Sequence, residues 1–387
     1  KAAPNGWVME YYIGKDYSLG GITLLCRFDG QRVTMASQMS EADETVSSLY
    51  SVKSEQATML SFDTYNYLVH YFGQPQGSMS DDPNGTLGGD YEFIISSASA
   101  ERIELKGKKY GNRIVMKALT EDQTWKQYLT KIKKVEDDAF FYEYDLLMDG
   151  LYTGQMLRSN YTFIVTYYDE IGKVHQKTVP FMFTADGLRF HEPVTIDGQT
   201  MQNFVWKNEL ISFVCTDEGA TGVKLAGVYT AGYQSYDYYP GTYQMDFYRL
   251  NDETGQLEVA SQEVRLLKNE DGKSYWLKGL EYDILVMYDK PRGGLSVSPQ
   301  LLEKVQGGYV YLAMWDVMND YVLRGESIGL ISYATTNGIY LVDNGVWMGE
   351  VSGFIFGVYN SQEEDAAFIG YTDAFASIRL VKKTIEE

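Results

Sequence analysis

Apolar and polar residues alternate in short runs along most of the chain, and turn residues separate these runs. In the first part, the alternation predicts a meander of about eight antiparallel strands. The predicted strands are residues 7–13, 20–29, 32–39, 50–62, 67–72, 90–97, 101–109 and 113–119. Eight sequential strands can close into a barrel, which removes exposed strand edges. We therefore predict an up-and-down barrel within residues 5–118.

The hydrophobic period changes from two residues to about 3.6 after this meander, which predicts a helix. Thr120 and Gln123 have the spacing of a capping box. The apolar residues that follow at helical spacing are Trp125, Tyr128, Leu129, Ile132 and Val135. We predict a helix over residues 121–135, with Trp125, Ile132 and either Tyr128 or Leu129 buried.

Strand signals resume after this helix and continue to the end of the chain. Up to residue 215 they cover residues 161–168, 179–184, 187–190, 204–206 and 210–215. Residues 231–241, rich in Tyr, Gly and polar side chains, are typical of a loop or linker, so we place a boundary near residue 228. The predicted fold class is all-β and antiparallel, with lipocalin-like (calycin-like) barrel or sandwich units and one intervening helix. The predicted domains are residues 1–118, 119–227 and 228–387.

Composition and charge narrow the possible partners. The chain has 387 residues, 44% of them hydrophobic, which is globular composition. Its formal net charge of −20 repels phosphate backbones, so we predict no nucleic-acid partner. No apolar run is long enough to span a bilayer as a helix, so we predict no transmembrane segment in this chain.

Residues with metal-binding or redox chemistry are few. Cys26 and Cys215 each lie in an apolar strand-like run, which favours buried free thiols. The histidines His70, His175 and His191 do not have the spacing of metal ligands, so we predict no metal and no cofactor. A calcium loop at residues 81–84 is an alternative, but a turn explains that segment equally well.

Several strand and turn motifs resemble a known family. They are Asn5-Gly-Trp-Val-Met-Glu-Tyr-Tyr12, Phe62-Asp-Thr-Tyr-Asn66, His70-Tyr-Phe72, Leu87-Gly-Gly-Asp-Tyr-Glu-Phe93, Leu105-Lys-Gly-Lys-Lys-Tyr-Gly-Asn112 and Pro180-Phe-Met-Phe-Thr-Ala-Asp-Gly-Leu-Arg-Phe190. Together they resemble a family of Bacteroidetes lipoproteins, domain of unknown function 4302, over most of the first 215 residues. The resemblance implies secretion, a lipid anchor on a cysteine upstream of Lys1, and association with a SusC/SusD-like outer-membrane nutrient-uptake system. It implies no catalytic residue.

Aromatic residues supply the remaining candidate site. Tyr233, Tyr236, Tyr238 and Tyr239 lie in the predicted linker, where exposed rings would form a platform for a ligand. The alternative is that these rings pack on the neighbouring sheet. We identify no catalytic residues.

The predicted function is a non-catalytic binding or accessory protein of the cell envelope, lipid-anchored at the outer membrane or periplasmic, with a glycan, peptide or lipid ligand. One alternative is a glycosidase-like hydrolase with a pair of carboxylates, since abundant acidic residues leave such a pair possible. The other is a structural subunit that docks on an outer-membrane transporter, which would require a large apolar surface patch.

Overall fold

The computed structural model describes residues 3–54, 57–75, 86–169, 171–251 and 253–383. It confirms the all-β prediction, because antiparallel strands make up nearly all of the regular structure in these residues. The chain forms two compact units that divide after Val228. Residues 81–84, for which a calcium loop was the alternative to a turn, lie outside the described residues.

The first eight strands form a closed barrel in sequence order. They are β1 (Trp7–Ile13), β2 (Gly20–Asp29), β3 (Arg32–Ser37), β4 (Val46–Ser54), β5 (Thr58–Phe62), β6 (Glu92–Ala98), β7 (Arg102–Gly107) and β8 (Arg113–Ala118). β8 pairs back with β1, from Trp7 opposite Ala118 to Tyr11 opposite Ile114. The inward residues of the strands fill the barrel core. This is the up-and-down, lipocalin-like arrangement that the alternation predicts.

Two of the predicted strands in this barrel are wrong. Residues 50–62 form a hairpin instead of one strand, with Ser54 of β4 opposite Thr58 of β5. No glycine or proline interrupts the alternation there, so the sequence carries no turn signal. Residues 67–72 are helical, and α1 (Tyr67–His70) begins where the Asn66 side chain accepts a hydrogen bond from the N–H of Leu68.

The predicted long helix exists, but it begins four residues later than predicted. α2 (Trp125–Asp138) has its capping box at Thr124 and Gln127, because the same Thr-x-x-Gln spacing occurs twice. The side-chain amide of Asn5 donates to the carbonyls of Thr120 and Gln123 at 2.6 and 2.8 Å. These bonds engage the segment before the helix, which is why the first Thr-x-x-Gln does not start it.

The burial of α2 differs partly from the prediction. Leu129 and Ile132 are fully buried, and Tyr128 is partly buried. Trp125, which we predicted to be buried, is only half-buried, although its indole N–H donates to the Asn5 carbonyl at 2.7 Å. Leu129 packs with residues of the first barrel, whereas Ile132 belongs to the core of the second. The helix therefore connects the two barrels physically.

The second barrel has the same topology as the first. Its strands are β9 (Glu143–Met148), β10 (Leu151–Ser159), β11 (Thr162–Tyr168), β12 (Val174–Phe183), β13 (Gly187–Ile196), β14 (Gln199–Lys207), β15 (Ser212–Cys215) and β16 (Val223–Val228). β16 pairs back with β9, which closes the ring. The sequence prediction missed β9 and β10, where a register shift between Tyr152 and Gly154 interrupts the regular alternation.

The second unit contains twelve strands in one sheet. They are β17 (Gly241–Leu250), β18 (Leu257–Lys268), β19 (Ser274–Lys278), β20 (Ile284–Asp289), β21 (Gly294–Val297), β22 (Gln300–Val305), β23 (Gly308–Asp316), β24 (Tyr321–Leu323), β25 (Leu330–Thr335), β26 (Gly338–Asp343), β27 (Gly353–Tyr359) and β28 (Phe368–Lys382). Eight of these strands form a ring, because β28 pairs with both β26 and β17. The first half of β28 pairs with β27. β27 in turn pairs with β23, and β23 pairs with β22.

Neither α-helix of the described residues has the length and apolar character that crossing a bilayer requires.

Candidate functional site

Three of the motifs that carry the family resemblance meet around Tyr11 and Asp90. The Tyr11 hydroxyl accepts from the N–H of Asp90 at 2.5 Å and donates to its carbonyl at 2.9 Å. The Asp90 carboxylate accepts from the backbone N–H groups of Lys109 and Tyr110, the shortest contact being 2.7 Å. Asp90 is buried, so these bonds lock the loop before β6 to the turn between β7 and β8. These three motifs therefore stabilise the first barrel.

A polar pocket lies where the two barrels of the first unit meet. Its volume is about 340 Å³, at the lower end of the range for ligand sites. The lining residues come from β1, β7 and β8 of the first barrel and β13 and β14 of the second. They are Glu10, Tyr12, Arg102, Arg113, Val115, Arg189, His191, Gln202 and Asn203. We call this cavity the junction pocket.

The outer face of β7 and β8 gives the junction pocket a positive wall. Arg102 lies opposite Lys117, and Lys106 lies opposite Arg113. Like charges in directly opposed positions destabilise a sheet. Glu104, which bonds to Arg102, is the acidic residue between them. The first barrel thus places four cations on one face of a strand pair, in a chain whose net charge is −20.

Two of these cations, Lys106 and Arg113, have no carboxylate partner among the described residues. Among the described residues, no carboxylate lies within ion-pair distance of the Arg113 guanidinium. Arg113 lines the pocket and is exposed at its own position in β8. Its charge is therefore available to an anion that enters the pocket.

Glu10 is the carboxylate that lines this pocket, and it bonds to one cation from each barrel. Its side chain accepts from the Lys117 ammonium at 2.8 Å and also bonds to the Arg189 guanidinium. Glu10 is only 7% exposed, because it lies on the β1 face that the second barrel covers. Although burial disfavours the charged form, Glu10 holds the pKa of Arg189 above its usual value. Arg189 is therefore a permanent cation that links the barrels.

His191 lies beside this ion pair and contacts two aromatic rings. Its ring centroid is 4.3 Å from that of Tyr12 and 4.1 Å from that of Tyr17. Burial lowers the pKa of His191, and the cations Arg113 and Arg189 lower it further. His191 is therefore neutral near pH 7, when it can both donate and accept a hydrogen bond.

Asp217 positions Gln202 and Asn203, the two amide residues that line the pocket. Its carboxylate accepts from the backbone N–H groups of Gln202 and Asn203 at 2.5 and 2.7 Å, and from the Asn203 side-chain amide at 2.7 Å. Partial burial opposes ionisation, but these hydrogen bonds from Asn203 and Gln202 outweigh it and lower the pKa of Asp217. The two amide residues are thus fixed by a charged acceptor outside the pocket.

Asp90 and Asp217 should affect the pH dependence of stability in opposite directions. Burial raises the pKa of Asp90 above 3.8, so its contribution is fully present below that pH and is lost as pH rises through the folded pKa. The lowered pKa of Asp217 gives a contribution that is present above 3.8 and is lost as pH falls. On acidification, the stability difference between wild type and Asp90→Asn should grow, whereas that between wild type and Asp217→Asn should shrink.

Urea unfolding of the three proteins across an acidic pH series measures both differences. Asp137→Asn, an exposed position on α2, is the control for the loss of one negative charge. Differences that change in the same direction for Asp90→Asn and Asp217→Asn would contradict the assignment.

The four tyrosines considered as a ligand platform differ in their exposure and contacts. Tyr239 is buried, and its hydroxyl donates to the Gly293 carbonyl at 2.8 Å. Tyr236 stacks on Tyr275 at 4.7 Å and donates to the Ser274 carbonyl. Tyr233 is half-buried, and Tyr238 is the exposed member of the four, at 38%. The contacts of Tyr236 and Tyr239 favour the packing alternative for these two rings, since a ring packed on a sheet offers no face to a ligand.

The three histidines lie at different places in the first unit. His70 is in α1 and stacks on Tyr91, His175 bonds to Asp169 at 2.8 Å, and His191 lines the junction pocket. His70 was expected in a strand, so that assignment is wrong. Within the described residues, no three His, Cys, Asp or Glu side chains are grouped as metal ligands.

Both cysteines are buried free thiols, as the sequence predicts. Burial raises the pKa of the Cys26 thiol far above its usual value and that of Cys215 to about 11. A thiol rather than a thiolate is therefore present at neutral pH, and this form is a poor nucleophile.

The hydrolase alternative requires carboxylates that share a groove, and one such group lies in the second unit. Asp246, Asp343 and Glu350 line a groove of about 760 Å³. Arg379 donates to Asp246 at 2.6 Å and lowers its pKa. A glycosidase acid needs a raised pKa, so Asp246 does not fit that role.

The docking alternative also has a candidate surface. Exposed apolar side chains occur on neighbouring strands of the second barrel, where Tyr168 lies opposite Val174. Tyr152 and Ile171 are exposed as well.

The fold and the junction pocket define an all-β protein with paired eight-stranded barrels and a cation-lined cavity between them. The chain belongs to the family described as a domain of unknown function (DUF4302), whose model matches residues 1–208, more than half of its length. Residues 216–356 match a second model, DUF4987, also described as a domain of unknown function. No curated protein matches the chain.

Proposed function

We propose that this chain is a non-catalytic binding protein of the cell envelope, and that its junction pocket binds an acidic group of the ligand. The ligand is a glycan, peptide or lipid that carries a carboxylate, sulfate or phosphate. The observation that carries the proposal is the positive wall of β7 and β8, with opposed like charges and Arg113 unpaired among the described residues.

The repulsion between opposed cations on this positive wall supports a binding role. The opposed pair Lys106 and Arg113, which no carboxylate of the described residues neutralises, does not contribute to sheet stability, so its charge needs another explanation. A bound anion would convert the repulsion into charge-assisted hydrogen bonds. Neutral His191, with Gln202 and Asn203, would then bind the uncharged part of the same ligand.

The cellular location and the protein partner are parts of the same proposal. The family resemblance supports a Bacteroidetes lipoprotein that is anchored in the outer membrane or is periplasmic, and that assists a SusC/SusD-like nutrient-uptake system. Fractionation of cells that express the full-length gene product, together with labelling by a radioactive fatty acid, tests the location. Recovery in the cytoplasmic fraction without label would overturn this part.

Replacing Arg113 by alanine is expected to weaken anion binding about tenfold to a hundredfold, since a hydrogen bond to a charged group contributes about 1.5–3 kcal/mol. Unfolding should change little, because Arg113 is exposed. The measurement is calorimetric titration with uronic-acid oligosaccharides, sulfated saccharides, acidic peptides and phosphatidylglycerol micelles. Binding of the preferred anion should also weaken at high salt.

Arg32→Ala provides the matched control. Arg32 lies on β3 of the same barrel and bonds to Ser47, away from the junction pocket. Its removal changes the net charge equally and should leave affinity nearly unchanged. The proposal fails if no anion binds, or if the two variants weaken binding equally.

A further inference from the structure

A second cavity with different chemistry lies in the second unit. It is a groove of about 1060 Å³ between β22, β23, the end of β27 and the start of β28. The residues that determine its chemistry are Leu301, Tyr311, Arg324, Glu326, Tyr359, Glu364 and Phe368. Its volume is at the upper end of the range for ligand sites, so it can hold an extended ligand.

Aromatic rings form one wall of this groove. The Tyr359 ring makes edge contacts with Tyr311 at 5.7 Å and Phe368 at 5.5 Å. Gly357 lies opposite Tyr311 on the next strand, and a Cβ there would be 3.0 Å from Tyr359 and 3.1 Å from Phe368. Glycine therefore lets the rings approach each other. Phe368 is 43% exposed and presents apolar surface to the groove.

Arg324 is held rigidly against this wall. Its guanidinium lies 4.1 Å from the Tyr359 ring centroid and 4.8 Å from that of Tyr311. One terminal nitrogen donates to the carbonyls of Glu363 and Glu364 at 2.6 and 3.1 Å. Among the described residues these are the hydrogen bonds of Arg324, which leaves N–H groups for a ligand.

Hydrogen-bond acceptors complete the lining. The exposed carboxylates of Glu326 and Glu364 border the groove beside Arg324. The buried Tyr359 hydroxyl has no hydrogen-bond partner among the described residues, which is unusual for a buried polar group. The groove thus combines the apolar ring of Phe368, the N–H donors of Arg324 and carboxylate acceptors. Its lining has no excess of positive over negative charge.

We infer that this groove binds a neutral oligosaccharide. A sugar ring offers an apolar C–H face for Phe368 and hydroxyl groups that both donate and accept hydrogen bonds. Two carboxylates disfavour an anionic ligand here, in contrast to the junction pocket. The inference rests on the lining of the second unit alone and is independent of the function proposed for the junction pocket.

Calorimetric titration of the intact chain tests this inference. The probes are short neutral oligosaccharides of glucose, mannose, xylose, galactose and N-acetylglucosamine, with polygalacturonate fragments as the anionic comparison. We expect at least one neutral probe to bind, and Phe368→Ala to weaken it about tenfold, comparable to the loss of a stacked aromatic residue. Half-exposed Phe368 is not expected to be needed for folding, which a melting curve checks.

Two control variants make the result specific. Tyr333→Ala removes a 63% exposed ring on β25 that does not line the groove, and it should keep full affinity for the neutral probe. Arg113→Ala should also keep it, which separates this site from the junction pocket. The inference is overturned if no neutral probe binds, if polygalacturonate fragments bind this groove more tightly, or if Phe368→Ala and Tyr333→Ala weaken binding equally.

Discussion

Replacing Tyr239 by alanine is expected to lower the free energy of unfolding of the second unit by about 3–5 kcal/mol. Tyr239 is 1% exposed, and its ring contacts Tyr275 and Tyr288 at 6.0 and 6.3 Å. The truncation leaves a cavity and removes the donor of the Gly293 carbonyl. The Tyr243 hydroxyl, which donates to the Tyr239 carbonyl at 2.6 Å, then packs beside that cavity. Urea unfolding followed by intrinsic fluorescence measures the change.

Tyr238→Ala, at the position directly before Tyr239, is the matched control. Its ring is partly exposed and touches Tyr239 by an edge at 5.2 Å, so the expected loss is below about 1 kcal/mol. Equal, small losses for both variants, together with weaker ligand binding, would instead support the platform interpretation of residues 233–239.

The aromatic segment illustrates why the sequence did not decide between packing and binding. A loop that packs its rings and a loop that exposes them have the same composition, because the outcome depends on distant partners. Here Tyr236 stacks on Tyr275 of β19, and the Tyr288 hydroxyl of β20 donates to the Gln234 carbonyl at 2.9 Å. These contacts join residues that are far apart in sequence, so local periodicity does not predict them.

The fold was predictable where alternation and turn residues agree. β1 and β2 have the predicted bounds, because glycines flank β1 and mark the first residue of β2 and the position after it. The prediction failed at residues 50–62, where alternation continues through a turn, and at α1, where Asn66 supplies a local cap. β10 was missed because the register shift between Tyr152 and Gly154 interrupts its alternation.

The junction pocket was not predicted, although parts of its signal are visible in the sequence. Glu10 interrupts the run of β1, in which every residue is buried. Charged residues alternate with apolar ones from Arg102 to Lys106, whereas Arg113 and Lys117 lie four residues apart with three apolar residues between them. Only the pairing register shows that these cations oppose each other, and only the tertiary structure brings Arg189 to Glu10.

The final prediction tests stability and charge at this junction together. Glu10→Gln is expected to lower the free energy of unfolding of the first unit by about 2–3 kcal/mol. Loss of one partner of a buried ion pair costs about 3–5 kcal/mol, and partial exposure of Arg189 and Lys117 places this pair below that range. Chemical unfolding of the variant measures the loss.

The same substitution should tighten anion binding in the junction pocket, because it removes the negative charge that competes for Arg189. Glu104→Gln separates the two effects, since Glu104 pairs with Arg102 at the surface. That variant should lose less than about 1 kcal/mol of stability, yet it also makes the positive wall more positive and should raise affinity. If Glu10→Gln instead weakens anion binding, Glu10 serves to position Arg189 for the ligand, and the charge argument for this pocket is wrong.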